Sequence, residues 1–381
     1  MDWSYWERNT FLQPCDVLIV GGGITGLSAA IALLEADPRL RVTVLERGFL
    51  PLGASTRNAG FACFGSMTEL LDDMARMGEQ AAWQLVARRW EGLQLLRRRL
   101  GDEVIRFRPT GGYELFRDDD AQAYASCLEK MDAFNEAMRD ISGMPVTWSV
   151  ADDAIPRFGL GQVRHLIRTE GEGMIDTGRM MDALIRLARE RGARLLFGLG
   201  AEGWQQRDDG GVAVSTSAGC VLHAAHLVVT TNGFARRLLP ELAVLPARNQ
   251  VLVTPPLDEV PFDGTFHYLK GYVYFRNVDG RVLLGGGRHL DIEGETTDAF
   301  GTTERIRSFL LDILRQVVLP GKEVAPEYWW SGIMGVGEEK APIIRTVAPH
   351  VHVAVRLGGM GVAIGSLVGQ EVAELVLEQM A

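Results

Sequence analysis

Gly21, Gly23 and Gly26 stand in the run GGGITG, which satisfies the spacing GxGxxG. The run follows the apolar stretch DVLIV (16–20) and opens an apolar helical pattern that lasts from Gly26 to Ala36. A second strand-like stretch, RVTVL (41–45), leads into Glu46, twenty residues beyond Gly26. These residue types at this spacing suit the diphosphate of a dinucleotide. Gly21 makes the tight turn, Gly23 lets the backbone approach a pyrophosphate, and Gly26 lets the helix pack close to the strand. The N–H groups at Ile24 and Thr25, in the first helical turn, have no partner within the helix and present partial positive charge. Glu46 can accept hydrogen bonds from two ribose hydroxyls. The pattern serves NAD and FAD alike.

Two further segments bear on that choice. Gly358-Gly359-Met360-Gly361 is a second glycine turn at the start of a helix, far along the chain. Thr230-Thr231-Asn232-Gly233 closes a strand-like stretch in a polar turn. Two bare-backbone helix starts suit a ligand with two anionic needs, a pyrophosphate and a ring that gains negative charge on reduction, and a flavin has both. The loop GASTRNAGFACFGS (53–66) fits neither helix nor strand, and carries one cation, Arg57, and one thiol, Cys63. With no base visible beside it, Cys63 is read as a buried small residue rather than a nucleophile.

The elements that must position these groups make one βαβ unit at the N-terminus, then a long helical stretch, 67–100. A strand is expected at Gly112–Phe116, helices at 121–139 and 177–191, and strands at 194–197, 211–215 and 227–231. The segment 272–284 reads as a hairpin about Asp279-Gly280, with Tyr272, Tyr274 and Arg276 on one strand face. Lys270, Arg288 and His289, near that hairpin, are read as solvated cations. Further strands are expected at 329–333, 343–346 and 351–356, before the final helix. At 381 residues, 47% of them hydrophobic and 23% charged, the chain has the composition of a soluble protein of two interlocked domains. A net charge of −10 argues against a nucleic-acid partner. Cys15, Cys63, Cys127 and Cys220 form no CxxC or Cys/His cluster, so neither a disulfide framework nor a metal site is expected, and the cytoplasm is the default location. The uncharged run 17–34 is long enough for a membrane span, but it lacks a basic flank and is broken by three glycines, so no integral membrane segment is expected.

The sequence resembles the FAD-dependent oxidoreductases of the D-amino-acid oxidase, glycine oxidase and sarcosine oxidase group. The resemblance rests on DVLIVGGGITGLSAA with Glu46, on GASTRNAG, on YVYFRNVDGRVLLGGG (272–287), and on WWSGIMG followed by RLGGMGVAIGSLVGQEVAELV (356–376). It implies a mixed α/β fold: a glutathione-reductase-like, Rossmann-type FAD domain, and a substrate domain on a mainly antiparallel sheet. The FAD domain would comprise 14–100, 150–240 and 330–381, and the substrate domain 101–149 and 241–329. Besides the glycine turn and Glu46, the resemblance implies FAD contacts from Arg47, from Ala54, Ser55, Thr56, Arg57 and Asn58, from Ala201, Thr231 and Gly233, and from Gly359, Met360, Gly361 and Val362. Tyr272, Tyr274, Arg57 and Met334 would face the substrate.

Three departures narrow the expectation. Members of the group that oxidise amino acids tend to carry W-x-G-x-R, whose arginine forks onto the substrate carboxylate. Here Trp330-Ser331-Gly332-Ile333-Met334 puts a methionine in that place, and a methionine cannot make a bidentate ion pair. The lysine of the sarcosine-oxidase branch is absent from 361–364, and no cysteine lies near 330–337 for a covalent flavin link. The chain is therefore expected to hold FAD non-covalently and to oxidise a C–N bond of an amine or of an imino or amino acid. Oxygen or a quinone-type carrier would take the electrons. A 2-hydroxy-acid dehydrogenase and a flavin-holding redox subunit without turnover are the alternatives.

Overall fold

A computed structural model describes residues 2–380. The first sheet begins from the N-terminal unit. Cys15–Val20 is buried along nearly its whole length, as a central parallel strand must be, and pairs in parallel with Val42–Glu46 and with Val221–Val229. Arg194–Phe197 extends the sheet beyond Val42–Glu46, and Val351–Val355 extends it on the other side, both in parallel. Three antiparallel strands complete it: Ile343–Ala348 at one edge, Val212–Thr216 paired with Val221–Val229, and Ala201–Gln206 paired in turn with Val212–Thr216. Helix Ile24–Ala36 begins two residues earlier than its apolar pattern predicts and packs on the final helix, Gly361–Met380. Two glycines permit the approach: a Cβ at Gly369 would lie 2.5 Å from the carbonyl of Thr25, and one at Gly365 would lie 2.9 Å from Ile24.

The second sheet runs Tyr328–Val336, Leu245–Val253, Arg281–Gly286, Val273–Val278, Thr265–Tyr268, Gly112–Phe116, His165–Thr169, Trp148–Val150. Every pairing is antiparallel except that of Thr265–Tyr268 with Gly112–Phe116. One face packs on helix Glu304–Ile313 through Phe266, Phe275, Leu284 and Leu310. A two-stranded ribbon, Phe61–Ala62 with Gly173–Met174, ties the loop after Glu46 to this half of the molecule.

The mixed α/β architecture agrees with the sequence, and two details differ. The stretch 67–100 is not one helix but two, Met67–Met77 and Glu79–Leu100, because Gly78 takes φ +86. Strands His165–Thr169 and Tyr328–Val336 belong to the second sheet, although both fall largely within the ranges expected for the FAD domain. The chain crosses between the sheets more often than a division by sequence range conveys.

Candidate active site

The C-terminal end of Cys15–Val20, the loop 53–63, one face of the second sheet and the start of the final helix enclose one cavity of about 960 Å³. At its first end, Gly21 turns the chain at φ +117, and a Cβ on Gly26 would lie 2.0 Å from the carbonyl of Gly21. A Cβ on Gly23 would strike Ser55 Oγ at 2.7 Å, and that hydroxyl accepts the Ile24 N–H at 3.0 Å. Glu46 is held by the backbone: Oε2 accepts from Gly22 at 3.1 Å and Oε1 from Gly48 at 2.9 Å. A carboxylate has about four acceptor directions, so this one is oriented and keeps capacity for a ligand hydroxyl.

Gly21, Gly23, Ile24, Thr25, Glu46, Arg47, Ala54, Ser55, Asn58, Ala201 and Thr231 all line this cavity, and so do Gly359, Met360, Gly361 and Val362 from its other end. Three residues expected at the cofactor do not line it. Gly26 is a packing glycine under Gly21. Thr56 is exposed and donates to the Pro51 carbonyl at 2.6 Å. Gly233 backs onto Met334, whose carbonyl oxygen lies 2.4 Å from where its Cβ would be. Thr231 Oγ1 is buried at the cavity without a protein partner, as a group awaiting a ligand would be.

The sheet face brings Tyr272, Tyr274, Met334 and Asn249 to the middle of the cavity. Tyr272 precedes its strand rather than opening it. Arg276, expected on the same face, is buried instead, with Nη1 donating to the carbonyls of Gly60 and Ile175 at 2.9 Å each, and burial lowers its pKa to about 10. Burial also raises the phenol of Tyr274 well above its usual range, so it stays neutral. Asn249 places its amide nitrogen 4.0 Å from Met334 Sδ, while its Oδ1 is buried and unpartnered. Sequence gave no sign of Asn249; only the pairing of Leu245–Val253 with Tyr328–Val336 sets it opposite Gly332.

Arg57 lines the cavity beneath this face. Its Nη1 donates to the Ser331 carbonyl at 3.1 Å, its guanidinium lies 4.5 Å from the Phe300 ring centroid, and its own carbonyl accepts from Trp330 Nε1 at 3.0 Å. It has more company than the sequence implied, because Arg47, Arg76, Arg237, Lys270, Arg288 and Lys340 also reach the cavity. Lys270 and Arg76 pair with Asp72, Lys340 with Asp73, and Arg237 with Asp298. Among the described residues, Arg47, Arg57 and Arg288 have no carboxylate partner, and these are the cations available to an anionic ligand group. Lys270, exposed as expected of a solvated cation, and Arg288 also stand in the cavity wall, while the His289 ring is tilted against that of Tyr272 with centroids 5.3 Å apart.

On the inner wall, Cys63 and His267 stand beside Glu172, all three buried. Burial holds the Cys63 thiol well above its ordinary range, with the Glu172 and Glu69 charges adding to the effect. Burial works against protonation of His267, but the facing Glu172 carboxylate prevails and raises its pKa.

A Rossmann-type glycine turn, a second glycine turn at a helix start and an antiparallel sheet roofing the space between them define a flavin-dependent oxidoreductase. Residues 16–375 match the family of FAD dependent oxidoreductases, and the chain belongs to that family, whose cofactor is FAD. It is similar to gamma-glutamylputrescine oxidoreductase of Escherichia coli, 27% identical over 382 residues covering 95% of this chain and 83% of that one. Glycine oxidase of Geobacillus kaustophilus is 26% identical over 95% of this chain and 92% of its own length. In fold the chain resembles the crystal structure of that glycine oxidase, with a TM-score of 0.75 at 22% identity, covering 96% and 95% of the two chains. L-proline dehydrogenase from P. horikoshii gives the same TM-score at 18% identity, covering 96% and 94%. Among the described residues, no helix is long and apolar enough to cross a membrane.

Proposed function

We propose that this protein oxidises a C–N bond of an amine, or of an imino or amino acid, with FAD held non-covalently. Bound FAD supplies the hydride acceptor, its N5 atom, and the imine product then hydrolyses. Gly21, Gly23 and Glu46 would hold the ADP half. The start of the final helix, Gly359 to Val362, would stabilise negative charge on the flavin pyrimidine. In this reading the first sheet carries the cofactor, and the second supplies the face against which the substrate lies.

The observation that carries the reading is the single cavity joining both glycine turns to the face of Tyr272, Tyr274 and Met334. That face offers aromatic and thioether surface where a carboxylate-binding arginine would point, so the substrate is fixed by shape and by its amine rather than by a forked α-carboxylate contact. Tyr274, buried and neutral, keeps that surface uncharged. The relatives that act on gamma-glutamylputrescine and on glycine support amine chemistry without selecting between a long and a short substrate. Oxygen or a quinone-type carrier would reoxidise the flavin.

Two measurements test this. Heat-denatured protein should release all its yellow colour into the supernatant, since no covalent link holds the cofactor. Incubation with amines should yield an aldehyde or keto product trapped by a hydrazine reagent. Colour retained on the pellet would refute the non-covalent link, and the absence of a carbonyl product across primary, secondary and cyclic amines would refute the reaction.

A further inference from the structure

Cys63, Glu172 and His267 lie more than a hundred residues apart in pairs where it matters, Cys63 from Glu172 and Cys63 from His267, and no sequence spacing joins them. The fold brings one ligating atom from each to within 4.8 Å of the other two. All three are buried: Cys63 is 6% exposed, Glu172 1% and His267 6%. The ribbon Phe61–Ala62 delivers Cys63, the turn before Gly173–Met174 delivers Glu172, and strand Thr265–Tyr268 delivers His267.

Glu172 is anchored by one oxygen only. Oε1 accepts the backbone N–H of Phe64 at 3.0 Å and of Gly65 at 3.3 Å. Oε2 is buried with no hydrogen-bond partner, and so is His267 Nε2. The two atoms face each other at 3.6 Å. That is too long for a hydrogen bond, whose heavy atoms sit about 2.7–3.2 Å apart. It is close to the edge of a tetrahedron whose nitrogen and oxygen ligands lie about 2.0–2.2 Å from zinc, an edge of about 3.4 Å. Gly112 makes room for this oxygen, since a Cβ there would lie 2.0 Å from Oε2.

We propose that Cys63, Glu172 and His267 form a binding site for a thiolate-preferring divalent cation, zinc above all, in the wall of the cavity. The donor set is one sulfur, one imidazole nitrogen and one carboxylate oxygen, a combination that suits zinc and excludes magnesium and calcium. Thiolate and carboxylate together neutralise the ion, and the thiol proton leaves as the metal binds. A shift of about an ångström, shared between the Cys63 and His267 side chains, closes the triangle to zinc's bond lengths. Both of these residues line the cavity, so the fourth ligand position opens onto it and takes water or a substrate nitrogen or oxygen. The inference is independent of which substrate is oxidised.

Zinc chloride titrated calorimetrically into the chelator-dialysed flavoprotein should bind one ion per chain. Cys63→Ser and His267→Gln should each weaken binding at least about tenfold while keeping the flavin spectrum. Cys127→Ser, a buried thiol elsewhere, should bind as the wild type does. X-ray absorption at the zinc edge of the wild-type complex should show one sulfur neighbour at about 2.3 Å with nitrogen and oxygen neighbours. The edge spectrum decides even if a variant fails to fold. No uptake by the wild type, undiminished uptake by both variants, or a first shell without sulfur would overturn the proposal.

Discussion

Arg57 shows how a side chain's neighbours define its role. It is buttressed by the Ser331 carbonyl and the Phe300 ring, and no carboxylate neutralises it, so its charge is free to act on what the cavity holds. Arg57→Met is expected to weaken FAD retention or slow turnover by about tenfold, since a hydrogen bond to a charged group contributes about 1.5–3 kcal/mol. Flavin content and turnover both at wild-type levels would remove Arg57 from the site. Its presence in a small-residue loop after Glu46 was legible in the sequence, as were Gly21, Gly23 and the turn at Gly359. Asn249 and Glu172 were not, because their relevance depends on strand pairing and on contacts between distant parts of the chain. The pairing of Lys270 with Asp72 was hidden for the same reason.

The final helix seats its second and third turns against helix Ile24–Ala36 through Gly365 and Gly369, and that contact places both glycine turns on one cavity. Gly369→Leu would drive a side chain into the Thr25 carbonyl 2.5 Å from its Cβ, and the expected cost is about 1–3 kcal/mol with loss of flavin. Urea unfolding followed by fluorescence measures the first, and the ratio of flavin to protein absorbance the second; wild-type values for both would contradict the packing described. The neighbouring strand pair carries a pH dependence. His352, fully buried on Val351–Val355, meets His226 Nδ1 at 3.1 Å and Thr346 Oγ1 at 3.1 Å. Burial, with the charges of His226 and His350, depresses its pKa from 6.5 to about 4. The unfolded chain therefore takes up a proton near pH 6.5 that the folded chain refuses until about pH 4. Stability should fall as pH drops through that window, by at most about 3 kcal/mol. His352→Asn should flatten the difference in urea midpoint between pH 7 and pH 5; an unchanged slope would sink this assignment. Hydrophobic pattern revealed the βαβ unit and the hairpin at Asp279-Gly280, whereas Leu245–Val253 and His165–Thr169 escaped it, since Arg248, Asn249, Gln250 and Arg168 interrupt their apolar runs.

Both sheets contribute to one cavity, so its walls come from segments interleaved along the chain rather than from separate halves. The end of strand Tyr328–Val336 touches the turn that starts the final helix, where the Gly358 N–H donates to the Gly335 carbonyl at 3.0 Å, and Met334 lies at that contact, close to Gly359. In the proposed reading, flavin chemistry at this junction would need geometry and exclusion of water more than a dedicated base, and Tyr272, Tyr274 and Met334 would supply the apolar wall. The measurement that bears most directly on this account is the flavin absorbance of the purified protein under anaerobic mixing with a panel of amines, amino acids and 2-hydroxy acids. The account predicts bleaching by at least one amine or imino acid and none by hydroxy acids. A flavin that no amine bleaches, but that a hydroxy acid does, would contradict it.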